Sequence, residues 1–214
     1  MHEHHDDLAE RYGRATWDAR YGGAERVWSG RPNQRLVEQL TGVEPGDALD
    51  VGAGEGADAV WLAGQGWRVT ALDVSPVALG LTRAHADESG VGDRVTTLEH
   101  DLIGGAPIPG AYDLVSAQFW HPPVDRRRDF DELIGAAVRP GGVLLVVGHH
   151  PDDLGTGVRD GHGHGDLLYT PQDVVAVLSP ARWEIRHAAA QTRPHHGHAE
   201  RATVTDTVVL AIRR

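Results

Sequence analysis

Between residues 48 and 73, Ala48-Leu49-Asp50-Val51 runs into Gly52-Ala53-Gly54-Glu55-Gly56-Ala57, and a second apolar run, Trp67-Arg68-Val69-Thr70-Ala71-Leu72, ends on Asp73. Asp73 lies seventeen residues beyond Gly56, with a helix-like stretch between them. An apolar run closing on an acid and a glycine turn, then a helix, then a second such run, is the pattern of a βαβ unit that holds a nucleoside. Glycine lets the backbone approach a ligand closely, because no Cβ intervenes and positive φ costs little. The second acid stands where a carboxylate accepts hydrogen bonds from ribose hydroxyls. The motif calls for an adenosine-type cofactor without choosing among them.

The rest of the chain extends this unit. Strand-like runs near Ala48–Val51, Arg68–Leu72, Val95–Leu98, Leu114–Gln118 and Val143–Gly148 alternate with helical stretches near Ala57–Gln65, Pro76–Ser89 and Arg126–Val138. This alternation predicts an α/β fold with a mostly parallel sheet. Ser75-Pro76 reads as a helix start, and Arg139-Pro140-Gly141-Gly142 as a helix stop turning into a strand. About 45 residues precede the first strand, carrying Trp17, Tyr21, Trp28 and a helical stretch near Asn33–Leu40. They are too few for a domain of their own and predict a helical cap, residues 1–45, on a core of residues 46–214 within one domain. Residues 151–168 read as a lid, a binding loop or a disordered segment. Two β-type runs, Trp183–Ala188 and Ala202–Ile212, close the chain.

Composition narrows the function. With 214 residues and a formal charge of −11, the chain can bury a core but offers little cationic surface to a phosphate backbone, so nucleic acid is not the expected partner. Arg126-Arg127-Arg128 reads as a solvated helical turn, with docking as the alternative. Without cysteine there are no thiolate metal sites or disulfides, and without lysine there is no Schiff base or lysine general base. No apolar run is long enough to span a bilayer, and a polar, acidic start predicts a cytoplasmic protein.

The glycine turn satisfies two fingerprints, Gly52-x-Gly54-x-x-Ala57 for dinucleotides and Gly52-x-Gly54-x-Gly56 for S-adenosylmethionine (SAM). Asp50 would repel a pyrophosphate but suits the ammonium of a methionine moiety. His100-Asp101-Leu102 places an acid where it can accept the adenine amino group, and the closing β pair suits an antiparallel last strand. With Ala71-Leu72-Asp73-Val74-Ser75, Tyr112-Asp113-Leu114-Val115 and Arg139-Pro140-Gly141-Gly142, the chain from Ala48 onward resembles the class I SAM-dependent methyltransferases. That resemblance implies a Rossmann-like, seven-stranded sheet of order 3-2-1-4-5-7-6, strand seven antiparallel, with helices on both faces. It implies SAM as methyl donor and S-adenosylhomocysteine as product. Asp50, Gly52, Ala53 and Gly54 would face the methionine portion, and Asp73 with Val74 the ribose. His100, Asp101 and Leu102 would face the adenine, and Gln118 would lie beside the transferred methyl. The N-terminal segment, with Trp17-Asp18-Ala19-Arg20-Tyr21 and Trp28-Ser29-Gly30-Arg31-Pro32-Asn33, looks like the subgroup of tellurite-resistance and thiopurine methyltransferases.

Transfer from a sulfonium is an in-line displacement by an already activated donor, so alignment and water exclusion dominate. A hydroxyl or amine acceptor gains from a base, and His121 and His149 are the catalytic candidates. Tyr21, Trp28, Phe119 and His150 are candidates for contact with a small-molecule acceptor. The clusters His2/His4/His5, His149/His150, His162/His164 and His195/His196/His198 raise the question of a metal, but loop histidines are usually solvated and no metal is expected. A nicotinamide-dependent oxidoreductase and a non-catalytic SAM- or metal-binding protein remain as alternatives at this stage.

Overall fold

The computed structural model describes residues 13–23, 26–154, 167–194 and 203–214. Two short helices, α1 (Arg14–Tyr21) and α2 (Gln34–Leu40), precede β1 (Asp47–Val51), α3 (Ala57–Gly64), β2 (Arg68–Asp73), α4 (Pro76–Glu88), β3 (Val95–Glu99) and β4 (Tyr112–Gln118). After β4 come β5 (Val138–His149), α5 (Pro171–Val177), β6 (Trp183–Pro194) and β7 (Thr203–Arg213). The seven strands form one sheet in the order β3-β2-β1-β4-β5-β7-β6. β7 runs antiparallel to both its neighbours, and the other pairings are parallel. The expected fold is therefore the observed one. Strand order reverses between β1 and β4, and the crevice beyond their carboxyl ends is where doubly wound sheets bind ligands.

Period-two alternation divides the core. Leu49, Val51, Val115, Ala117, Leu144, Val146, Val209 and Ala211 point to one face of the sheet, with Phe130, Ile134 and Val174 packed on it. Ala48, Leu114, Leu145, Val147 and Val208 point to the other, covered by Leu36 and Leu40 of α2, Leu62 of α3 and Leu79 of α4. The cap expected at Ser75 is in place, and a second stands at Thr170. Ser75 Oγ accepts from the N–H of Ala78 at 3.1 Å, and Thr170 and Asp173 form a reciprocal capping box. Among the described residues no helix is long and apolar enough to cross a membrane.

One element differs in kind. The stretch expected as a helix over Arg126–Val138 is a chain of tighter and wider turns, with 3-10 geometry at Val124–Arg126, a π-helix at Phe130–Ile134 and 3-10 again at Gly135–Ala137. Phe130, Asp131, Leu133 and Ile134 are all buried, more sides than one face of an α-helix can turn inward. Asp131 accepts from Trp183 Nε1 at 2.6 Å and pairs with Arg182, which pins the widened turn to the loop before β6. Consequently β5 starts at Val138, and Pro140-Gly141-Gly142 lies inside it beside a register shift between Tyr112 and Leu114. β6 likewise continues beyond Ala188 to Pro194, held by its ladder to β7. The Arg triplet is mostly structural. Arg126 donates to the carbonyls of Leu102 and Ile103, Arg127 to that of Leu168, and Arg128 alone is largely exposed.

Candidate functional site

The crevice begins at the glycine turn between β1 and α3. Ala53 N–H donates to the carbonyl of Leu72 at 2.9 Å, which ties the turn to β2. Asp73, at the end of β2, accepts from Gly54 N–H at 2.9 Å on one oxygen and from Ser75 N–H at 2.9 Å on the other. Gly54 has φ +55, and a Cβ there would lie 2.8 Å from the Tyr21 hydroxyl. A Cβ on Gly52 would meet nothing within 4 Å, so the turn opens toward the crevice at that point.

Acids gather behind the turn. Asp50 is buried, accepts from the N–H of Ala59 at the start of α3, and has one oxygen, Oδ2, with no hydrogen-bond partner among the described residues. Burial, reinforced by the charges of Asp58 and Asp73, pushes its carboxyl well above the usual range. Asp58 accepts from Asn33 N–H at 2.6 Å, and burial raises it to about 6. Asp73 is raised for the same first reason, against which its backbone N–H partners act. Acids held this way are stabilised by a cation arriving beside them.

The N-terminal segment closes over the turn. Glu55, buried within the glycine motif, accepts from the N–H groups of Val27 and Trp28 at 3.2 and 2.9 Å. Trp28 Nε1 donates to the Tyr21 hydroxyl at 3.1 Å, Tyr21 stacks on Trp17, and the Arg20 guanidinium lies 4.7 Å from the Trp28 ring centre. Burial pushes the Tyr21 hydroxyl up to about 12, so it stays protonated. Ser75 Oγ donates to Asp18 at 2.5 Å, fastening α1 to the start of α4.

Across the crevice, the ends of β4 and β5 carry rings. Phe119 follows Gln118 with φ +56, a left-handed conformation that costs a non-glycine residue about 1–3 kcal/mol and is found at functional turns. Its N–H still donates to the carbonyl of Val147 at 2.7 Å. His121 and His149 stack with ring centres 4.7 Å apart, and Phe119 lies 4.4 Å from His149. Tyr169, fully buried, reaches within 5.5 Å of His121 and donates to the carbonyl of Trp120 at 3.0 Å. The N–H of His149 donates to His121 Nε2 at 3.0 Å, so that nitrogen is an acceptor and the neutral ring carries its proton on Nδ1.

The structure thus brings Asp50, Gly52, Ala53, Gly54, Asp73 and Val74 to one rim, under Tyr21 and Trp28, and Gln118, Phe119, His121 and His149 to the other. Gln118 donates to Ser116 Oγ at 2.8 Å, and its buried Oε1 has no hydrogen-bond partner among the described residues. His100, Asp101 and Leu102 line the turn after β3. His100 Nε2 bonds the carbonyl of Ala106, Asp101 accepts from Ile103 N–H, and Leu102 is buried in the core. His150 is set apart, accepting from Asp152 N–H and capping its own turn. The clusters His2/His4/His5, His162/His164 and His195/His196/His198 lie outside the described residues. Among those described, no group of three or more His, Asp or Glu is placed to hold a metal. Sequence reading gave no role to Glu55, Asp58, Asn33 or Tyr169. Tyr169 leaves an indirect trace, Gly148 inside a strand, where a Cβ would overlap its ring.

A glycine turn at the switch point, buried acids behind it and a sheet completed by an antiparallel seventh strand define a class I methyltransferase fold. The match to known proteins agrees, since residues 48–142 match the family described as a methyltransferase domain. The 2-heptyl-1-hydroxyquinolin-4(1H)-one methyltransferase of Mycobacteroides abscessus is 33% identical over 130 residues, covering 58% of this chain and 56% of that protein. A protein solved in a study of the conversion of a disulfide bond into a thioacetal group during echinomycin biosynthesis superposes with a TM-score of 0.74 at 23% identity, over 94% of this chain and 92% of that one. TehB from Haemophilus influenzae gives 0.68 at 16% identity, over 94% and 67%. Other relatives are named as methyltransferases of small-subunit ribosomal RNA and of release factor glutamine. This chain spans between about a third and just over half of the length of these curated relatives. Residues 48–142 thus form a methyltransferase domain within a class I fold, with SAM as its cofactor. The unpartnered Asp50 Oδ2 and the open face of Gly52 fit a group that brings an ammonium and a sulfonium.

Proposed function

We propose that this protein methylates a small-molecule acceptor at the crevice between the glycine turn and the ends of β4 and β5. The observation that carries this reading is the closure of the N-terminal segment, with Tyr21 directly over Gly54 and Glu55 holding the backbone of residues 27 and 28. Such a cover over the turn favours a compact acceptor over a folded RNA or protein, and a formal charge of −11 adds repulsion toward phosphate chains. When bound, SAM supplies a methyl group on a positively charged sulfur. Asp50 accepts from its ammonium, Asp73 from the ribose hydroxyls, and Asp101 from the adenine amino group. Gly52, Ala53, Gly54 and Val74 give the backbone approach, while His100 and Leu102 flank the base. Gln118 sits beside the reacting centre, and Tyr21, Trp28 and Phe119 shape the acceptor space and exclude water. His149 takes a proton from a hydroxyl acceptor. The N-terminal residues serve as a cap on the same domain, and the protein works in the cytoplasm.

The relative's printed substrate makes planar hydroxylated heteroaromatics the first class to try. Calorimetry with SAM and S-adenosylhomocysteine comes first. A transfer assay with labelled SAM then compares hydroxyquinolones, phenols, thiols, amines and metalloid oxyanions with ribosomal RNA and protein extract. Label reaching a small molecule supports the reading, and label reaching only RNA or protein overturns it.

A further inference from the structure

Asp206 on β7 is completely buried and far from the glycine turn in sequence. Its two cationic partners among the described residues bind the same oxygen. Arg35 Nε reaches Oδ2 at 3.2 Å and Arg193 Nε reaches it at 2.8 Å. Arg35, itself buried, is held by Glu38 at 2.8 Å and by the carbonyls of Gln191 and Thr192. The other oxygen, Oδ1, accepts no hydrogen bond among the described residues. A buried carboxylate oxygen left without a donor costs about 1–3 kcal/mol or more, so it calls for a reason. The ladder supplies a neighbour, because Asp206 stands directly opposite His149 in the antiparallel β5–β7 pair. Directly opposite residues project to the same face with Cβ atoms about 4.5–5.5 Å apart. That face is the one carrying Leu145, Val147, Val208 and Phe119, the side on which His149 meets the Phe119 ring.

We propose that Asp206 is a positioning residue for His149, an inference resting on the acceptor site described above. Arg35 and Arg193 fix the carboxylate through Oδ2 and leave Oδ1 to receive the His149 Nδ1–H, directly or through one water. The pair then presents His149 Nε2 as the base. When a hydroxyl acceptor reacts, its proton passes to Nε2 as its oxygen bonds the methyl carbon, and the electron pair of the breaking C–S bond stays on sulfur. The resulting imidazolium is stabilised by Asp206 and later releases its proton to water. This is the orienting role an aspartate plays behind a histidine base in other enzymes. His121 is unsuited to that role in this geometry, because its Nε2 already accepts from the backbone of residue 149. The charged and titratable groups facing the pair are Arg35 and Glu38 from α2, Arg193 from β6, and His121 and Tyr169 beside the ring. Asp153, on the turn after β5, accepts from the N–H of Thr205, the residue before Asp206.

The test reads the ring itself. The imidazole C–H signals of the full chain are followed by NMR against pH, with the His149 resonance identified by its loss in His149→Gln. In Asp206→Asn, removal of the facing charge lowers the His149 pKa by about one unit. In Arg193→Gln the same pKa rises by a few tenths, because a competing cation is gone. A His149 titration unchanged in both variants overturns the proposal. If Asp206→Asn does not fold, Arg193→Gln decides alone, a rise supporting the pairing and no change overturning it. Calorimetry with S-adenosylhomocysteine on the unmodified protein judges the methyltransferase reading separately, so the two ideas can fail independently.

Discussion

The two rims of the crevice are built in opposite ways. The rim at β1 and β2 is made within residues 50–75, from glycine backbone, carboxylates and short hydrogen bonds such as Gly54 N–H to Asp73. The rim at β4, β5 and β7 gathers Gln118, His121, His149, Tyr169 and Asp206 from distant parts of the chain, and rings and long-range contacts hold it. Recognition of an invariant cofactor can be written locally, because one turn and two acids meet most of its polar groups. Selection of an acceptor needs a surface whose pieces vary independently, and separate loops on a common sheet provide it.

This contrast can be broken by substitution. The largest effect is expected at Gly54→Val, where φ +55 and the Tyr21 hydroxyl both oppose a side chain. Affinity for S-adenosylhomocysteine should fall by about a hundredfold or more, about 2.7 kcal/mol, in calorimetry. Retained affinity would show that the turn is not the cofactor rim. Next, His149→Gln should lower kcat with a hydroxyl acceptor by about a hundredfold. It should leave cofactor affinity within about threefold. A joint loss of both would mean that the rims are not separable.

Acidity gives a third, smaller effect. Asp58 titrates at about 6 in the folded protein, above the ordinary 3.8. Between those values the folded state holds a proton that the unfolded chain has lost, so the ligand-free protein loses stability as pH rises across that window. Cation binding favours the ionised acid, so affinity for SAM should rise about threefold to tenfold from pH 5 to pH 7.5. A flat profile would separate Asp58 from the ligand. The smallest effect is expected at Trp28→Phe, which removes the bond from Nε1 to the Tyr21 hydroxyl in a half-exposed site. A loss of only about 0.5–1.5 kcal/mol in cofactor affinity should follow.

Much of the fold could be read directly. Asp50, the Gly52–Gly56 turn, Asp73 and the Ser75-Pro76 cap sit where their spacing put them, since each is a local rule about turns, caps and strand ends. The stretch 126–138 departs from the plain helix its composition suggests because its π-turn answers to Asp131 meeting Trp183, a contact between residues 52 apart in sequence. Glu55 was visible within the motif, but its bonds to Val27 and Trp28 depend on a segment that folds back over it.

The sequence alone determined the α/β sheet and its glycine turn between strand-terminal acids, and pointed to SAM through the family they resemble, because glycine conformations, strand-terminal acids and residue periodicity act over a few residues. Only the tertiary structure decided that Tyr21 lies over Gly54, that His121 accepts from the backbone of residue 149, and that Asp206 faces His149. Those arrangements come from strand register and chain return, which place residues side by side irrespective of their separation along the chain.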